Sequence, residues 1–98
     1  AVNIIQPDVT NSGGVQDCLY VIDKFTPKNT AMHVWGSQVA INANYHIAKA
    51  KNVLFLEIPL MELEINDHIN TPGPGIGIDI TNEIKAKYKL NKTLNFKL

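Results

Sequence analysis

From Ile76 to Leu98, apolar side chains fill the even positions Ile76, Ile78, Ile80, Ile84, Ala86, Tyr88, Leu90, Leu94, Phe96 and Leu98, interrupted only by Asn82 and Lys92. The intervening odd positions are Gly, Asp, Thr, Glu, Lys or Asn throughout. A period of two is the mark of a half-buried strand. At about 3.3 Å per residue one straight strand of this length would reach roughly 75 Å, whereas a domain of this size has a radius of gyration near 13 Å. The segment must turn back on itself or belong to an elongated oligomer.

Loop parity decides how it could turn. Odd-length loops centred on Asn82 and Asn91 keep apolar residues opposite apolar ones, pairing Ile80 with Ile84, Tyr88 with Leu94 and Ala86 with Phe96. Asn tolerates the left-handed backbone that three-residue hairpin loops use. The pattern therefore predicts a C-terminal meander with strands at 76–80, 84–90 and 94–98.

Upstream, Val15 to Asp23 reads as a strand, and Lys24 to Thr30 as a turn around Pro27. Residues 37–52 carry two patterns at once. Val39, Ile41, Ala43, Tyr45 and Ile47 alternate as in a strand, while Ala40, Ala43, Ile47, Ala50 and Leu54 line one helical face. Asn, Tyr and His are mediocre helix formers, so strand is preferred. Asn52 to Ile65 is strand-like with a phase slip that calls for a bulge near Leu60, beside Pro59. Gln6 to Gly14 and Asn70 to Gly75 are loops by their Pro, Gly and Asn content.

The resulting expectation is all-β: a single small domain over 1–98, mainly antiparallel, closed by the meander. The alternative is α+β with one helix near 37–52.

Composition changes this picture little. Apolar residues make up 45% and charged residues 18%, an ordinary folded balance, and nine Lys offset nine Asp and Glu. With zero net charge and no Arg, a nucleic-acid partner is not expected. One cysteine, Cys18, cannot make an internal disulfide and reads as a buried small hydrophobe. The longest apolar runs fall far short of the roughly 20 residues that span a bilayer, and nothing resembles a signal peptide. An Ala start and a stop on Leu98 in mid-pattern fit a processed protein or a piece of a longer one, so missing signals carry little weight and no compartment is assigned.

Charge is segregated along the chain, with six acids and no Lys over 53–83, then five Lys and no acid from Ile84 onward. Lys85, Lys87 and Lys89 would form a row on one strand face, best read as the cross-strand partner of the acidic stretch. Glu62, Glu64, Asp67 and His68 are weak candidates for an oxygen-rich cation site, but no calcium-loop or His/Cys spacing supports them. "TPGPGIG" lacks the spacing of a phosphate-binding glycine loop. The triplet Asn91-Lys92-Thr93 is formally a glycosylation acceptor.

No catalytic signature emerges, and no cofactor is implied. The expected function is non-enzymatic: a structural or protein-interaction module that self-associates or docks through its sheet, as in viral, phage or surface assemblies. Lys85, Lys87, Lys89, Phe96 and Leu98 are its expected contact residues, and a homo-oligomer or protein partner its expected company. The alternative is a carrier of a lipid or other small apolar ligand.

Overall fold

The computed structural model describes residues 2–59 and 75–89. Helices dominate them: α1 is Val15–Phe25, α2 is Gln38–Ala50 and α3 is Asn82–Lys87, with a single 3-10 turn at Pro27–Asn29. Two short strands, β1 (Ala31–Met32) and β2 (Phe55–Leu56), pair in parallel with Ala31 opposite Phe55 and Met32 opposite Leu56. An isolated parallel bridge joins Ile5 to Thr30. The chain thus runs as extended segment, helix, strand, helix, strand, all extended pieces pointing the same way. The class is α+β, and the all-β antiparallel expectation is overturned.

The reasons are visible residue by residue. In α1, Val15, Cys18, Leu19 and Ile22 fall at i, i+3, i+4 and i+7, one helical stripe. Cys18 and Ile22 are completely buried, so the strand expected over Val15 to Asp23 is a helix. In α2, Ala40, Ile41, Ile47 and Ala48 bury the same kind of stripe, and the helical reading of 37–52 prevails over strand. Parallel pairing follows, because each strand-to-strand crossover carries a helix.

The meander is overturned as well. Residues 78–81 carry no strand, and α3 occupies the expected second strand. Thr81 starts α3 by accepting a hydrogen bond from the Ile84 N–H at 3.3 Å, Glu83 sits in the first turn and Lys85 and Lys87 in the last. That charge order suits the helix dipole, so local capping outweighs the period-two pattern. The third meander strand, 94–98, and the bulge at Leu60 lie outside the described residues. Among the described residues the two strands are only two residues long each, so a sheet-dominated structural or virion role has no footing.

Both long helices cover one face of the sheet. Met32 packs with Cys18 and Ile22 from α1 and with Ile47 and Ala48 from α2, flanked by Val9, Leu19, Val53 and Leu56. Val34 packs on Ala40 and Ile41. Because side chains alternate across a strand, Ala31 and His33 point to the opposite face, which neither α1 nor α2 covers and which is open among the described residues. Register puts Phe55 and Glu57 there beside them, and the bridge puts Ile4 and Gln6 there from the first segment. Gln6 Nε2 donates to Glu57 Oε2 at 3.3 Å across the intervening strand, which bears out this alternation. Among the described residues no helix is long and apolar enough to cross a membrane.

Candidate functional site

In open parallel sheets, ligands gather beyond the carboxyl ends of the strands. At that edge the first segment ends in the loop Pro7 to Gly14, which leads into α1, and β1 ends in His33 to Ser37, which leads into α2. The His33 N–H donates to the Pro7 carbonyl at 3.0 Å. That bond brings the two loops together and lays the His33 side chain against Asp8.

Asp8 is 2% exposed, and its carboxylate is saturated with donors. Oδ1 accepts from the Thr10 N–H at 2.8 Å, the Thr10 hydroxyl at 2.7 Å and Asn44 Nδ2 at 2.9 Å. Oδ2 accepts from Asn11 Nδ2 at 3.1 Å and faces His33 Nδ1 at 3.1 Å. The backbone closes around it: Ser12 N–H and Asn11 N–H donate to the Asp8 carbonyl, and the Asp8 N–H donates to the Ser12 hydroxyl. Gly13 and Gly14 then turn the chain into α1 with φ of 82° and 105°, values that only glycine adopts without strain.

Burial by itself would raise the Asp8 pKa. The hydrogen bonds from Asn44, Thr10 and His33 more than reverse this and hold the carboxyl well below the usual carboxylate range. Asp8 is therefore an anion at every ordinary pH. An anion at Oδ2 requires a proton on His33 Nδ1, so the neutral imidazole carries its lone pair on Nε2. The His33 side chain is 38% exposed against 3% for Asp8: one end of the pair is anchored in protein and the other meets solvent. Chemically this is an oriented base. Gln6 and Glu57 line the same face next to it.

A second polar ladder starts at the beginning of α2. Gln38 Nε2 donates to Asn42 Oδ1 at 2.8 Å, and Asn42 Nδ2 donates to the carbonyls of Ile76 and Gly77 at 2.9 and 3.4 Å. It ties residues 76–77 to the helix. On α1, Cys18 is buried, and desolvation together with the nearby Asp8 charge pushes its thiol pKa up.

Of the residues expected from sequence, the described ones lie elsewhere. Lys85 and Lys87 sit on α3 and Lys89 just after it. Positions two apart on a helix point in different directions, so these lysines do not form one row. Glu62, Glu64, Asp67, His68, Phe96 and Leu98 are outside the described residues. Sequence reasoning missed Asp8, His33 and Asn44. One signal was present: Asn44 is a polar residue inside the apolar stripe of α2, and such a residue needs a buried partner.

No family model matches the chain, and no curated protein or solved structure is significantly similar to it.

Proposed function

We propose that this chain contributes an acid–base site to proton-transfer chemistry on a small polar substrate, with His33 as the group that takes or gives the proton. The single observation that carries the reading is the 3.1 Å contact between His33 Nδ1 and the buried Asp8 carboxylate, which leaves Nε2 directed away from the anchor. Asp8 fixes the tautomer and stabilises the imidazolium that forms on protonation. Gln6 and Glu57 offer one amide and one carboxylate for holding polar groups of the substrate. General acid–base assistance of this kind accounts for about 10²–10⁴-fold in rate.

The test is a screen in D2O of small carbonyl compounds with an activated C–H, read by NMR, together with activated esters read by release of the leaving group. Turnover by the wild-type chain should fall by about 10²-fold or more in His33→Asn and should be partly lost in Asp8→Asn. Turnover that His33→Asn leaves intact refutes the assignment.

One observation favours a second reading, docking of a protein partner on the open sheet face: Phe55 is 63% and Ile4 56% exposed there. Sedimentation velocity decides it. Self-association that Phe55→Ser abolishes would support this reading, and a monomer at high concentration would count against its homo-oligomeric form.

A further inference from the structure

We infer that Asn44 is a positioning residue for the Asp8–His33 pair, holding the carboxylate so that the imidazole keeps its orientation and its Nδ1–H tautomer. The inference rests on the acid–base reading of that pair.

Asn44 is fully buried and stands among the apolar residues Ala40, Ile41, Ile47 and Ala48 of α2. A polar amide at such a place weakens a helix unless every donor and acceptor is used. Here they are used. Nδ2 donates to Asp8 Oδ1 at 2.9 Å and to the Ala40 carbonyl at 3.0 Å, and Oδ1 accepts the Val9 N–H at 2.9 Å. Both partners of Nδ2 are pure acceptors and the partner of Oδ1 is a pure donor, so only one orientation of the amide fits. The side chain therefore grips the carboxylate of residue 8 and the backbone of residue 9 from a rigid helix 36 and 35 residues away.

The chemical consequence concerns geometry. Asn44 holds Asp8 Oδ1 while His33 Nδ1 meets Asp8 Oδ2. Without the amide the carboxylate is free to turn, the contact with Nδ1–H loosens, and the ring loses its preference for carrying the proton on Nδ1.

The experiment is 15N NMR of the labelled chain at pH 9, where the two ring nitrogens of His33 report which one carries the proton. The wild type should show one tautomer with the proton on Nδ1, and Asn44→Ala should shift both ring nitrogens toward the average of the two tautomers. If Asn44→Ala fails to fold, Asn44→Ser takes its place, with Asp8→Asn as the control that must lose the Nδ1–H tautomer. A wild-type ring already mixed between tautomers, or a folded variant of lowered stability whose ring nitrogens are unmoved, overturns the inference and makes Asn44 purely structural. Failure of the substrate screen with a positive tautomer shift would instead remove the catalytic reading and leave the coupling standing.

Discussion

His33 Nδ1 and Asp8 Oδ2 lie 3.1 Å apart although 25 residues separate them in the chain. All of α1 intervenes, and the pair forms only because the extended segment ending at Pro7 lies parallel to the residues leading into His33.

The Asp8 network makes acid stability a test of this geometry. Its folded pKa is depressed below the ordinary value near 3.9, so the stability it contributes is fully present above that value and is lost as pH falls below about 4. Chemical denaturation from pH 7 down to pH 2 should show a steep loss over the acid end of that range. Asp8→Asn should be about 2–3 kcal/mol less stable at pH 7 and should flatten the acid limb. An unchanged limb would show that Asp8 does not report the transition.

Cys18 should resist thiol reagents in the native state. It is fully buried and its thiol pKa is raised, and both features suppress the reactive thiolate. Disulfide-exchange labelling at pH 8 should proceed only at the rate of opening, and to completion in denaturant. Stoichiometric labelling within minutes in native buffer would contradict the burial.

Ile41 fills the second core cluster with no exposed surface. Truncation in Ile41→Ala should cost about 2–5 kcal/mol, measured by urea denaturation. The same change at exposed Ile80, which is 49% exposed, should stay within about 0.5 kcal/mol.

Asn42 fastens residues 76–77 to α2. Asn42→Ala should raise hydrogen exchange and protease sensitivity around 75–80 more than in α1. Equal changes in both places would mean that Asn42 supports the whole core instead of this attachment.

Lys51 Nζ meets both Asp23 carboxylate oxygens, at 2.6 and 2.7 Å, and links the third turn of α1 to the end of α2. The Asp23 side chain is largely solvent-exposed, so Lys51→Met should cost no more than about 1 kcal/mol and the cost should shrink in high salt. A loss of several kcal/mol that salt leaves unchanged would contradict this screening.

Several features were legible without coordinates because they are local. The loops at Gln6 to Gly14 and around Pro27 follow from Pro, Gly and Asp chemistry, and Asp8 makes the turn that its residue type favours, accepting the Thr10 N–H. Cys18 is buried, as a small hydrophobe in an apolar pattern should be. The helical stripes of α1 and α2 were also written in the chain, but over 37–52 the stripe coexisted with a period-two pattern of similar strength, and intrinsic propensity chose wrongly between them. For α2 the misleading residues were Asn42 and Asn44, poor helix formers whose amides find their partners 34 to 36 residues away.

The sequence by itself determined the loops at Gln6 to Gly14 and around Pro27 and the residue that caps α3, since each depends on neighbours within a few residues. Only the tertiary structure decided that the strands run parallel, that helices cover one sheet face and leave the other open, and that Asp8, His33 and Asn44 meet. The physical reason is that a buried polar residue is stable only beside its partner, and nothing in local spacing tells Asn44 that its partner is Asp8.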